Sequence, residues 1–204
     1  MRQQRAEITR SAILDAAATV FDEHGYAAAS LSDIISQAGV TKGALYFHFP
    51  SKEELARELI DAQFQVGALP VAVTDAGMQT LIDVSHDLAA NLMDNVRVRA
   101  GIRLVIEYGT FESPSPDAYQ RWVDVARVCA AGARDKGDLR SGLEPDDVAH
   151  YVISSFTGVQ LSSQVFSRRA DLRRRVTVMW ELLLPGIVPP RRLARFSPGG
   201  SSAV

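Results

Sequence analysis

The 204-residue sequence has one cysteine, Cys129, and a single thiol closes no internal disulfide and builds neither a zinc site nor a redox pair. Long apolar runs are missing too. The most apolar stretch, Tyr151–Val165, is interrupted by Ser154, Ser155, Thr157, Gln160, Ser162 and Ser163, well short of a membrane span. The first residues, Met-Arg-Gln-Gln-Arg, carry no apolar signal core. A cytoplasmic protein without membrane contact is therefore expected. Basic charge is also scarce, with 22 Lys and Arg against 24 Asp and Glu for a net charge of −2. Within residues 1–50, Arg2, Arg5, Arg10 and Lys42 stand against Glu7, Asp15, Asp22, Glu23 and Asp33. Composition alone thus weighs against a nucleic-acid partner, although only charges that face phosphate count at Debye-length distances. The histidines His24, His48, His86 and His150 have no metal-ligand spacing, and no nucleophile motif or phosphate loop is present. Neither catalysis nor a cofactor is expected.

What the sequence does have is helical periodicity almost throughout, without an alternating strand pattern. An all-α fold follows. A first helix is expected from about Glu7 to His24, with Ile13, Ala17, Val20 and Phe21 on one face and Gly25 ending it. Ser30 and Asp33 open a second helix that stops at Gly39. Thr41 caps a third, which Pro50 breaks. Ser51 and Glu54 form a capping box for a fourth, to about Phe64. Gly67, Pro70 and Gly77 punctuate a loop. Helices are then expected over Met78–Met93, Arg97–Tyr108 and Asp117–Arg134, with a break at 112–116. Pro145 opens a long helix to about Ser167, and a last helix runs from Ala170 to Leu184, where Pro185 and Gly186 end it. The expected organisation is a helix-turn-helix head over 1–50, a helical body over 51–196 and a disordered tail over 197–204.

The segment Leu31–Phe49 is the most specific feature. Two short helices joined by Ala38-Gly39-Val40-Thr41 have the form of a DNA-binding helix-turn-helix. Gly39 supplies the left-handed turn, Val40 plugs the core, and Thr41 caps the second helix so that its amides point outward. Leu45 and Phe49, four apart, face inward, while Lys42, Tyr46 and His48 face out with groups able to reach phosphate or a base edge. An aromatic-rich packing helix is the bland alternative.

The run Ala38-Gly-Val-Thr-Lys-Gly-Ala-Leu-Tyr-Phe-His-Phe-Pro-Ser-Lys-Glu-Glu-Leu55 resembles the DNA-binding signature of the TetR repressor family. Thr9-Arg10, Ile13–Ala17, Phe21 and Gly25-Tyr26 are similar to that family's first helix. The resemblance implies a homodimeric repressor with an N-terminal head on double-stranded operator DNA and a helical effector-binding body. It implies DNA contacts from Thr41, Lys42, Gly43, Tyr46 and His48, with Lys52 on a phosphate. Arg5, on an arm before the first helix, either reaches the duplex or is simply solvated.

Three shorter matches, Arg99–Leu104, Tyr119-Gln-Arg-Trp122 and Phe156-Thr-Gly-Val-Gln160, resemble the γ-butyrolactone autoregulator receptors of Streptomyces. This implies a γ-butyrolactone or butenolide effector and antibiotic-biosynthesis genes as targets. Trp122 and Val125 on one helix, with Phe156 and Thr157 on another, offer an apolar lining with few polar groups, as a small-molecule site requires, the alternative for Trp122 being an ordinary core residue. The Thr157 hydroxyl either donates to a lactone carbonyl or bonds back to its own helix. By the same resemblance Gln63 occupies a family pocket position beside the head, with a solvated glutamine as the alternative. Small and apolar residues from Val152 to Phe166, and Val176, Met179, Trp180, Leu183 and Leu184, are expected at a dimer interface or in the core. The basic run Arg168, Arg169 and Arg173–Arg175 reads as a solvated helix end. Two other readings stay open: the same architecture sensing another lipophilic molecule, or none, and a helical dimerisation protein that binds no DNA.

Overall fold

The computed structural model describes residues 2–66, 75–107 and 117–201. Among these, every regular element is helical: α1 (Arg2–Ala28), α2 (Leu31–Ala38), α3 (Lys42–His48), α4 (Lys52–Val66), α5 (Met78–Asp94), α6 (Val96–Glu107), α7 (Asp117–Asp135), α8 (Pro145–Ser167), α9 (Leu172–Ile187) and a 3-10 helix, Pro190–Arg195. The expected breaks around residues 67–70 and 112–116 lie outside the described residues.

Several boundaries move for identifiable reasons. α1 begins five residues earlier than expected, so Arg5 sits within a helix and not on an arm. The Arg5 carbonyl already accepts from the Thr9 hydroxyl at 3.0 Å. Gly25 does interrupt the helix (φ 73°, ψ 176°), yet the chain resumes helical geometry to Ala28, and Tyr26 stacks on Phe21 at 5.9 Å. α9 passes through Pro185 to Ile187. Proline there removes a single backbone donor and leaves the last turn intact, with the Val188 amide on the Leu184 carbonyl at 2.9 Å.

The chain divides into two compact units. The first comprises residues 1–67 with 94–118, the second residues 68–93 with 119–204. The unit carrying the helix-turn-helix therefore extends past the residue-50 boundary expected from sequence. Its core joins Ile13, Ala17, Val20 and Phe21 of α1, Ile34, Leu45 and Phe49 of the helix-turn-helix, Leu55, Leu59 and Ile60 of α4, and Ala100 and Leu104 of α6. α6 approaches α4 so closely at Gly101 that a Cβ there would stand 2.6 Å from the Leu59 carbonyl oxygen. Asn95 caps α6, its side chain accepting from the amides of Arg97 and Val98.

In the second unit Val176, Met179, Trp180 and Leu184 of α9 are buried, as are Val148, Val152 and Phe156 of α8. The basic run is not simply a solvated end. Arg168 and Arg169 adopt left-handed backbone angles (φ 51° and 68°), and Arg169 is buried with its guanidinium on the side-chain carbonyls of Gln164 and Gln160. Arg175 donates to Asp171, which also accepts from Ser163 and Ser167. The segment 197–201, expected to be disordered, is fastened to α5. The Ser197 amide donates to Gln79, the Ser201 amide to Asp83, and the His86 ring nitrogen meets the Pro198 carbonyl at 2.8 Å. Its glycine- and serine-rich composition hides these backbone bonds, because they require no particular side chain on the tail.

Candidate nucleic-acid interface

Local chemistry fixes the helix-turn-helix at each joint. Ser30 caps α2 in a complete capping box, its hydroxyl accepting from the Asp33 amide while the Asp33 carboxylate accepts from the Ser30 amide. The Ser30 hydroxyl, donating to the Asp33 carboxylate at 2.6 Å, and then the Ser30 amide hold that carboxyl below its ordinary value. Gly39 closes α2 at φ 63°, ψ 30°, a conformation that excludes most side chains at little cost to glycine. Val40 then folds back, its amide on the Ile35 carbonyl. Thr41 caps α3 by accepting from the Ala44 amide at 3.2 Å.

α3 divides as the four-residue spacing requires. Leu45 and the capping residue Phe49 are buried, whereas Thr41, Lys42, Gly43 and Tyr46 are exposed and His48 is half-buried. The Lys42 ammonium stands 5.9 Å from the Tyr46 ring centroid. The sequence pattern assigns no role to Phe47, which is 80% exposed and stacks edge-on against His48 at 5.0 Å. A phenyl ring left in water against His48 adds to the exposed surface of this short helix. The strict alternation of polar and apolar residues over 46–49 concealed it, since a helix does not obey a two-residue period.

Lys52 is more constrained than a free phosphate contact. Its ammonium donates to the Ala29 carbonyl at 2.7 Å and lies 4.2 Å over the Tyr26 ring, and burial pushes its pKa below the ordinary value. One of three donors is spent, which leaves two for an anion. Arg5 is exposed on α1. Arg10 stacks on the Phe49 ring at 4.9 Å and pairs with Glu58, tying α1 to α4 and to the end of α3.

The acidic balance of the first fifty residues also has a structural answer. Asp15 is held by Arg97 at 2.6 Å and Asp22 by Arg99 at 2.8 Å, both arginines lying on α6. Arg97 also donates to Ser11, Arg103 donates to the Asp22 carbonyl, and Glu107 accepts from the Tyr26 amide. Two of the acids that argued against a DNA partner are thus matched by cations from far along the chain.

The residues expected at an effector site are divided between the units. Gln63 is in the first, fully buried, with its Nε2 donating to the Ile60 carbonyl. Trp122 and Phe156, 8% and 7% exposed, lie in the second unit with half-buried Val125 and Thr157. The Thr157 hydroxyl bonds back to the Ile153 carbonyl at 2.9 Å, so its proton is committed to its own helix. Tyr119, unassigned from sequence although it precedes Trp122 by one turn, places its hydroxyl 3.1 Å from Thr157.

Comparison with known proteins decides what this head belongs to. Residues 13–59 match the family described as "Bacterial regulatory proteins, tetR family", and residues 75–189 match "Tetracyclin repressor-like, C-terminal domain". The chain belongs to the TetR family. It is a DNA-binding transcriptional repressor by descent, from a family of regulators and not of enzymes. Among curated relatives, the A-factor receptor protein of Streptomyces griseus is 40% identical over 200 residues, covering 98% of this chain and 71% of that one. Among solved structures, CprB from Streptomyces coelicolor in complex with its operator sequence superposes with a TM-score of 0.79 at 31% identity, covering 94% of both chains. A γ-butyrolactone receptor described as ArpA-like gives 0.76 at 32% identity, covering 93% of both. Among the described residues of this TetR-family chain, no helix is long and apolar enough to cross a membrane.

Proposed function

We propose that this repressor binds a two-fold operator as a homodimer and is released from it by a γ-butyrolactone or butenolide, thereby controlling antibiotic or other secondary-metabolism genes. The observation that carries this reading is the 40% identity to an A-factor receptor across nearly the whole chain.

DNA contact falls to Thr41, Lys42, Gly43, Tyr46 and His48 on the exposed face of α3, with Phe47 beside them. Lys42 and the hydroxyl and ring donors serve phosphate and base edges. Phe47 offers an apolar edge suited to a thymine methyl. Lys52 and Arg5 add phosphate contacts at the margin. Dimerisation uses the apolar surface that the second unit leaves in water: Tyr151, Leu161, Val165 and Phe166 of α8 with Leu182 of α9. Side chains of that size at helical spacing ask for a partner helix pair, and a second copy supplies an identical one.

Within the second unit Trp122, Val125 and Phe156 supply the apolar wall for the effector, and Thr157 the polar group. Effector and operator oppose each other through the same conformational equilibrium, so each weakens the other by the same factor. The deciding experiment is operator binding by the purified full chain, titrated with a γ-butyrolactone. Release in the wild type, lost in Trp122→Ala protein that still binds DNA, supports the reading. DNA binding without release moves the effector to another lipophilic class. No operator binding at low salt overturns the proposal altogether.

A further inference from the structure

In an unbroken helix the Tyr26 amide would donate to the Asp22 carbonyl, four residues back. The interruption at Gly25 gives both groups partners on α6 instead. Arg103 donates through its Nη1 to the Asp22 carbonyl at 2.6 Å, and the Glu107 Oε2 accepts from the Tyr26 amide at 3.0 Å. The two α6 side chains are joined in turn, Arg103 Nε donating to Glu107 Oε1 at 2.6 Å. An ion pair spanning one turn of α6 thus stands in for one backbone bond of α1. It also needs a bare position 25, because a Cβ there would lie 2.7 Å from Glu107 Oε2 and 2.8 Å from Arg103 Nη2. All of these residues belong to the first unit.

The turn fixed in this way is where the start of α4 rests. The Lys52 ammonium stands 4.2 Å over the Tyr26 ring and donates to the Ala29 carbonyl at 2.7 Å, while the Tyr26 hydroxyl donates to Glu53 at 2.9 Å. A lysine stem is otherwise rich in rotamers, so two anchors on one turn decide where its remaining donors point. Charge neutralisation, the role of Arg97 and Arg99 toward Asp15 and Asp22, does not account for Glu107, because the group it holds on α1 is a neutral amide.

We propose that Glu107 is a positioning residue for operator binding: through the Tyr26 amide it sets the turn on which Lys52 stands, so that α6 aims the phosphate contact made from α4. This rests on the reading above of Lys52 as a phosphate contact. It places a determinant of operator affinity about sixty residues beyond the helix-turn-helix in sequence.

The test measures binding of the full chain to an operator duplex over a range of salt, for wild type, Glu107→Ala, Lys52→Met and the double variant. Removing a carboxylate from a DNA-binding unit should by itself tighten binding, whereas loss of positioning weakens it. Glu107→Ala should bind several-fold more weakly at low salt, with the slope of log affinity against log salt reduced by about 1 per head, as in Lys52→Met. The double variant should be no worse than Lys52→Met alone. Glu107→Gln, which keeps an acceptor at the same reach, should recover most of the loss. Binding in Glu107→Ala as tight as in wild type overturns the proposal. So does a loss that is undiminished in the Lys52→Met background, or one that Glu107→Gln fails to recover. Should Glu107→Ala not fold, Glu107→Asp, which keeps the charge and draws it back from the amide, takes its place with the same expectations. An unchanged slope in Lys52→Met removes the phosphate reading and this proposal with it. A reduced slope in Lys52→Met beside wild-type binding in Glu107→Ala removes the proposal alone.

Discussion

Arg99 on α6 donates through its Nε to the Asp22 carboxylate on α1 at 2.8 Å, with both side chains about three-quarters covered. Seventy-seven residues separate the two in sequence, yet the pair belongs to the unit that carries the recognition helix. With Arg97 on Asp15, it removes two negative charges from the field that operator phosphates would meet. Arg99→Ala should lower stability by about 1 kcal/mol, the scale of a partly exposed pair. It should also weaken operator binding at low salt, with the gap narrowing as salt rises. Restoration of both by adding Asp22→Asn would tie the effect to that carboxylate, and gel shifts at two ionic strengths read it.

Phe47 and Lys42 should separate on two axes. Lys42→Ala is expected to weaken binding to all sequences alike and to reduce the slope of log affinity against log salt by about 1. Phe47→Ala should leave that slope alone and cost about 1–3 kcal/mol of discrimination at a single base pair. Because Phe47 is 80% exposed, melting temperature should not change. A marked drop in melting temperature would instead identify Phe47 as a packing residue.

Two glycines should respond oppositely to alanine. At Gly101 the added methyl meets the Leu59 carbonyl oxygen at 2.6 Å. The overpacking cost of about 1–3 kcal/mol then exceeds or offsets the helix-propensity gain of about 1 kcal/mol. At Gly158 nothing lies within 4 Å in the chain itself, so propensity alone should stabilise the protomer. If the α8 face docks on a second copy, Gly158→Ala should nevertheless weaken the dimer, seen as a steeper dependence of melting temperature on protein concentration.

At the α8–α9 corner, Ser167, Ser163 and Arg175 hold the Asp171 carboxyl well below the usual range. A depressed folded pKa means that its stabilisation is present above the ordinary carboxylate value and is lost as pH falls through the folded one. Asp171→Asn should therefore melt lower than wild type at pH 7. The two curves should converge below about pH 4, where the wild-type carboxyl begins to lose its advantage. Parallel curves down to the lowest pH at which the protein stays folded would show that the serine and arginine bonds do not distinguish the charged form.

The helix-turn-helix was legible because its determinants are local. Ser30, Gly39 and Thr41 act within four residues of their own positions, and each does what its chemistry dictates. The long helices were legible from their apolar spacing and from Pro145 at the start of α8. What could not be read was long-range pairing. Nothing in Arg97, Arg99 or Arg103 announces that their partners lie on α1, because an exposed-looking arginine has the same local signature whichever acid it meets. Thr157 shows a further limit: two outcomes for one hydroxyl are locally equivalent, and only the geometry at Ile153 and Tyr119 separates them.

The apolar centre of the first unit includes Ala100 and Leu104, which the ribosome makes well after α4. A nascent chain that has just released α3 and α4 holds a recognition surface without the helix that completes its support and neutralises Asp15 and Asp22. At about 5–20 residues per second, the wait for α6 is on the order of seconds. Operator occupancy is thereby deferred until about half of the chain has been translated, so shorter nascent chains are poor competitors for the promoter.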